Sequence, residues 1–291
     1  MSVVAYDAIL GALTLAQVKS SQYDAGAEIQ RARNSGSFLT QATYGRYSRP
    51  KASFDSSDLY TALNAVDPTT GLAVATGTIA IPFNARTNGG TLAGSGSATK
   101  ITGANGLTVL DSISANQGDE AAMAKLTTYF RSTDGQTAPV AIAGSQTLAA
   151  QTFVNEFDLG PVTVNGTEVG GVQGVSCNFG IKVVDEGDKG AVYPMRLFIE
   201  SVDPYFDITF VDFASLVTYS PLFTAMSSAV CYFRKKADGG TLVGSTTDIS
   251  LTFASGIICA QSAQADGQKS GRAVLRLYGK AITKSLAATS P

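Results

Sequence analysis

Two short runs near the middle of the chain alternate in polarity in a way that only a strand satisfies. From Val175 to Val183 the odd positions are Val175, Cys177, Phe179, Ile181 and Val183, with Ser176, Asn178, Gly180 and Lys182 between them. Tyr193, Met195, Leu197 and Ile199 repeat the device, with Arg196 and Glu200 on the other face. Successive strand side chains point to opposite faces, so a period of two with one apolar side predicts two half-buried strands. Between them, Asp185-Glu186-Gly187-Asp188-Lys189-Gly190 is polar and glycine-bearing and suits a hairpin loop. A long antiparallel hairpin within residues 153–216 is therefore the frame around which the rest is read.

The pattern recurs downstream. Phe206, Ile208 and Phe210 share a face after the Asp203-Pro204 turn, as do Ile249, Leu251 and Phe253. Ala273, Leu275 and Leu277 oppose Arg272, Arg276 and Lys280. Turn signals at Ala237-Asp238-Gly239-Gly240 and across 266–271 join these runs into an antiparallel meander. Upstream, residues 40–47, 73–83 and 107–113 read as strands. Helical turns are expected around 9–18, 25–33 and 213–219. A short helix is expected after an Asp58 cap, through Leu59, Leu63 and Val66, ended by Asp67-Pro68. Another is expected over 119–130, where acidic residues open the run. Residues 140–150 fit neither pattern. The fold class is mainly β: an antiparallel sandwich or barrel core with one or two short flanking helices. Residues 1–36 read as an N-terminal arm, 37–138 as a β-rich part with short helices, and 139–291 as the antiparallel part. A weak boundary falls near 132–139; a single continuous domain is the alternative.

Composition narrows the function. The chain has 291 residues, 15% charged, with a formal net charge of -2, which lacks the basic excess of a protein that grips nucleic acid through phosphates. A surface so poor in charge suits packing against copies of itself, and equally a neutral secreted β protein. Histidine is absent, which removes Ser-His-Asp and Cys-His catalysis and histidine metal sites. Cys177, Cys231 and Cys259 each lie in an apolar run and read as buried free thiols. The N-terminus lacks a basic leader and has Asp7 in its apolar stretch, and no run is long enough to span a membrane. A soluble protein made in a reducing cytoplasm is expected.

Candidate chemistry is sparse. Asp185, Glu186 and Asp188 are possible calcium ligands, but without the full Asp-x-Asp-x-Asp-Gly spacing a solvated hairpin tip beside Lys189 is the better reading. Glu156 with Asp158, and Asp203 with Asp207, are carboxylate pairs of the kind glycoside hydrolysis uses, or simply turn and edge residues. Ser176 sits outside any GxSxG elbow, and the Gly/Ser-rich stretch 88–97 lacks the GxxxxGK pattern. Asn165-Gly166 reads as a type I′ turn. Arg234-Lys235-Lys236 is a basic run before a tight turn, able to meet nucleic acid or a neighbour's carboxylates. No cofactor is expected.

Three segments together resemble the tail tube proteins of long-tailed bacteriophages: Ser53-Phe-Asp-Ser-Ser-Asp-Leu-Tyr-Thr-Ala-Leu63, Phe157-Asp-Leu-Gly-Pro-Val-Thr-Val-Asn-Gly-Thr167 and Val175–Asp212. The resemblance implies a virion protein, assembled in the host cytoplasm into six-fold rings stacked as a hollow tube around a tape-measure protein. Tail terminator or baseplate proteins would meet its ends, and genomic DNA would pass through the lumen without specific binding. On that reading the loop 185–190 is a candidate for contact between adjacent rings and the N-terminal arm for another, with Asp185, Glu186, Asp188 and Lys189, and Arg234, Lys235 and Lys236, as candidate inter-subunit residues. Another virion module, a capsid decoration or tail-fibre protein, is the alternative. A carboxylate-based polysaccharide-degrading enzyme is the competing class, disfavoured by the absence of tryptophan for stacking on sugars.

Overall fold

A computed structural model describes residues 2–33, 35, 38–67, 72–73, 78–87, 91–94, 96–118, 121–151, 153–211, 223–237, 240, 242–243, 247–266 and 269–291. The chain begins with β1 (Ser2–Ala5), β2 (Ala8–Leu10), β3 (Leu13–Leu15) and β4 (Val18–Asp24). A ribbon of β5 (Ala27–Ala32) and β6 (Ala42–Ser48) follows, then β7 (Lys51–Ser56) and the helix α1 (Leu59–Ala65). The short pair β8 (Val66–Asp67) and β9 (Leu72–Ala73) leads to β10 (Ile79–Arg86), β11 (Ala98–Gly103), β12 (Gly106–Asn116), β13 (Met123–Phe130) and β14 (Val140–Gln146). Next come β15 (Phe157–Val164), β16 (Thr167–Glu168), β17 (Val172–Asn178), β18 (Ile181–Glu186), β19 (Arg196–Val202) and β20 (Tyr205–Phe210). The long strands β21 (Thr224–Lys235), β22 (Asp248–Asp266) and β23 (Lys269–Ala288) complete it.

One eleven-stranded antiparallel sheet dominates, in the order β16-β15-β21-β22-β23-β20-β17-β12-β13-β7-β4. It curls until β15, near one edge, packs on β12 and β17. There the Ala122 amide donates to the Phe157 carbonyl at 2.6 Å, so the sheet approaches closure as a barrel does. A second sheet, β14-β11-β10-β2-β3 with β1 also on β10, contributes Ile79, Ile81, Leu10 and Leu15 to the same buried cluster. The mainly β, sandwich- or barrel-like class read from the alternation is therefore the class observed. Both sheets use strands from either side of residues 132–139, since β14 pairs with β11 and β17 with β12. Among the described residues α1 is the one helix, and none is long and apolar enough to cross a membrane.

The alternating faces turn inward as expected. Cys177, Phe206, Ile208, Phe210, Ile249, Leu251, Phe253, Leu275 and Leu277 are fully buried, and the Phe206 and Phe253 rings stack at 5.3 Å. The Asp58 cap is real: its carboxylate accepts from the Thr61 amide at 3.1 Å, and α1 buries Leu59, Ala62, Leu63 and Ala65.

Several expectations are corrected. Residues 9–18 and 25–33 hold strands joined by short turns, because β2 pairs with β10 and β3, β4 with β7, and β5 with β6. The stretch expected as helix over 119–130 holds β13, clamped between β12 and β7. Its Ala124, Leu126, Thr128 and Phe130 face inward with a period of two that the helix-forming residues around them obscured. Residues 140–146 are strand. The turn expected at 213–219 and the caps at 68 and 238–239 lie outside the described residues.

The central hairpin is also redrawn. Residues 175–183 do not form one strand: β17 ends at Asn178 in the large sheet, and β18 begins at Ile181 in a separate two-stranded sheet with β19. Gly180 makes the break with a φ of +57°, and a Cβ there would stand 2.1 Å from the Asp203 carbonyl oxygen, so only glycine fits. Tyr193 and Met195 belong to the connecting loop, since β19 starts at Arg196.

Removing the stacked ring at the centre of this core tests where the stability lies. We expect Phe253→Ala to lower the unfolding free energy by about 3–5 kcal/mol in urea denaturation, with an unchanged circular dichroism spectrum.

Candidate assembly surfaces

The acidic loop is not a free tip. Asp185 lies within β18, where its carboxylate accepts from the Tyr47 hydroxyl at 2.8 Å and pairs with Arg49 at 3.3 Å. This places Asp185 in an intrachain contact between β18 and the end of β6. The following loop is fastened to residues 131–136. The Val192 and Tyr193 amides donate to the Gly135 carbonyl, the Ser132 amide donates to that of Pro194, and the Gln136 side chain donates to that of Gly190. Glu186, at the end of β18, and Asp188 and Lys189, on this fastened loop, remain exposed. Next to them Asp134 is exposed and collects hydrogen bonds from the Thr137 amide and hydroxyl, the Gln136 amide and the Ser132 hydroxyl. These bonds, led by that of the Thr137 amide, hold its carboxyl well below the usual range. Among the described residues no cluster of three metal-ligating side chains forms here or elsewhere.

The basic run is likewise built into the sheet. Arg234 sits opposite Asp158 across β21 and β15, and Lys236 forms an ion pair with Asp158. The Lys235 amide donates to Asp248 at 3.0 Å. Asp158 and Asp207, each half of a carboxylate pair considered above, thus serve ion pairs. Asp207 takes two hydrogen bonds of 2.7 Å from Arg276, whose guanidinium lies 4.3 Å from the Tyr205 ring centre. That fork strengthens the hold of Arg276 on its proton. Asn165 and Gly166 both have positive φ, as a type I′ turn needs, and the Asn165 side-chain oxygen accepts from the Ser227 amide at 2.8 Å. Cys177 and Cys231 are buried, where burial pushes the Cys177 thiol well up; Cys259 is half-buried.

Three further surfaces stand out, the first of them beginning within the N-terminal arm of residues 1–36. First, the β5–β6 ribbon is anchored at its base by Tyr47 and Ser48, whose hydroxyl and amide donate to Asp185 and to the Val192 carbonyl, while residues 27–31 and 43–46 beyond it are exposed. Ile29 is 63% exposed and Phe38, in its connecting loop, 95%. A two-stranded ribbon is marginal in water without something to pack on. Second, among the described residues β14 ends its sheet with no strand beyond it, and Ile142 is 64% exposed. Third, the β22–β23 hairpin outruns its neighbours. β21 leaves it at Ile258 and β20 at Ala273, while pairing continues to Asp266 and Lys269. Among the described residues the pairs Gln264–Arg272 and Asp266–Lys269 lie beyond both neighbours. Between the base of the ribbon and the start of β14 lies an apolar groove of about 310 Å³, lined by Tyr23, Ile29, Tyr47, Pro139, Val140 and Tyr193.

The phenol at this groove carries a measurable signature. Burial first, then the hydrogen bond to Asp185, raises the Tyr47 pKa from 10.0 to about 12. The folded state holds the phenolic proton more tightly, so this contribution to stability is complete below pH 10 and is lost as the pH climbs through 12. In an ultraviolet phenolate titration we expect Tyr47→Phe to remove one late-titrating group. Asp185→Asn should bring that group partway back toward 10, because burial persists.

Compared with protein-family models and with curated proteins, the chain matches none, so these surfaces carry the functional reading.

Proposed function

We propose that the protein is a structural subunit that assembles with copies of itself into rings stacked as a tube, as a phage tail tube does. The observation that carries this reading is the β5–β6 ribbon, exposed along most of its length beyond an anchored base and led by an exposed phenylalanine. An isolated molecule gains little from such a ribbon, whereas an assembly gains apolar burial at about 25 cal/mol per Å². The open edge of β14 and the projecting β22–β23 end add unpaired backbone, which natural monomers normally cover or blunt. A protein with several such features has neighbours to cover them.

The resemblance to tail tube proteins supplies the form: hexameric rings around a tape-measure protein, bounded by terminator and baseplate proteins, with DNA passing through at ejection. The electrostatics suit a conduit. A net charge of -2 with few charged residues lets a polyanion pass without adhering. The ion pairs Asp158–Lys236 and Asp207–Arg276 neutralise charge on the sheet that would otherwise grip or repel it.

Electron microscopy of the purified protein tests this reading. Stacked rings with an open channel are expected. A monodisperse monomer at high concentration would contradict it, and trimeric spikes or capsid-bound knobs would favour the decoration or fibre alternative. Replacing residues 29–45 by a short Gly-Ser turn should abolish the rings. The melting temperature should change by only a few degrees, because the ribbon contributes little to the core.

A further inference from the structure

We infer that the tip of the β5–β6 ribbon of one subunit docks on the groove at the base of the ribbon in the next, the ribbon's positive charge meeting the acidic rim beside that groove. This contact rests on the assembly reading above and gives it a partner surface.

The two halves of the contact lie at opposite ends of one element. The tip carries Phe38, and the ribbon 27–48 holds Arg31, Arg33 and Arg46 against the single acid Glu28. Arg31, Arg33 and Arg46 are exposed, so this charge faces water in the isolated subunit. At the base the groove offers aromatic and aliphatic walls of Tyr47, Tyr193, Pro139 and Val140 in about 310 Å³, ample for an aromatic side chain. The rim is acidic. Glu186, the last residue of β18, and Asp188, on the fastened loop, are exposed, and neither forms an ion pair among the described residues, with the exposed Lys189 next in sequence. Asp134 precedes Gly135, whose carbonyl holds Val192 and Tyr193 in place. The loop comes close to the groove wall, since a Cβ on Gly187 would stand 3.5 Å from the Tyr47 ring.

A six-residue strand spans about 20 Å, so a straight ribbon keeps its own tip away from its own base. Tip and base can meet only between molecules. Such a contact uses different patches on each partner, and a heterologous contact closes into a ring when its rotation allows. Apolar insertion holds the tip, while the charges set the approach and suppress wrong pairings. The acidic loop thus acts as the rim of a socket.

The test uses the full chain. A photo-reactive benzoylphenylalanine at Phe38, irradiated in assemblies of mixed isotopic labelling, should link to the peptides holding Pro139–Val140 or Val192–Tyr193 of another copy. Arg31→Glu with Arg33→Glu should raise the concentration needed for assembly at least about tenfold. Glu186→Arg with Asp188→Arg should do the same, and the two pairs combined should restore assembly to within about threefold of the original, which a misfolded variant would not do. Links elsewhere, an unaffected single reversal, or a combination that fails to recover would overturn the contact. If the unaltered protein forms rings while Phe38 links elsewhere, only this contact falls. If the unaltered protein stays monomeric, the assembly reading falls with it.

Discussion

Everything in this molecule depends on a single curled sheet turning one face of each strand onto a shared core. The Phe206–Phe253 stack sits at its centre, with Cys177, Cys231 and the leucines of β22 and β23 around it. Because the sheet nearly closes, its inner face takes up the apolar side chains of β12, β13, β17, β20 and β23 together, and α1 covers one end. The outer face is left with small polar residues and a few ion pairs held across neighbouring strands. Phe38, Ile29 and Ile142 are among the large apolar side chains left outside this core, as are Val3, Phe153 and Phe223, and on the ribbon and the β14 edge they coincide with strands that have an open side.

The core was legible in the sequence because alternation is a direct record of burial. Phe206, Ile208 and Phe210, and Ala273, Leu275 and Leu277, could be placed inward from their spacing alone, and they are inward. Where the reading failed, a longer-range fact decided the outcome. Ala122-Met-Ala-Lys-Leu126 favours helix locally, yet pairing to β12 on one side and β7 on the other makes it strand. The alternation from Val175 to Val183 runs through Gly180 without interruption, and only the positive φ at that residue reveals that two sheets meet there. The glycine and the Asp203-Pro204 turn were the available signals, and neither specifies a change of sheet.

The surfaces were less legible for a related reason. A ribbon exposed along most of its length has no core to record, so β5 and β6 carry no strong alternation. The one clue is an apolar Phe38-Leu39 between Ser- and Gly-rich and polar residues. The acidic loop and the basic run drew attention through charge, and charge alone did not reveal their fixed partners. Asp185 is held by Tyr47 and Arg49, and Lys236 by Asp158. What remains outward-facing is Glu186, at the end of β18, with Asp188 and Lys189 on a loop fastened at the base of the ribbon.

The central claim is that the ribbon and the open sheet edge are interface rather than free surface. Hydrogen exchange followed by mass spectrometry across a range of protein concentrations tests it most directly. The account predicts that amides of residues 27–48 and 140–146 exchange fast in dilute protein and become protected as concentration rises, while those of β12, β20 and β23 stay protected throughout. Equal exchange of residues 27–48 at every concentration, up to that at which the protein sediments as a large particle, would contradict it.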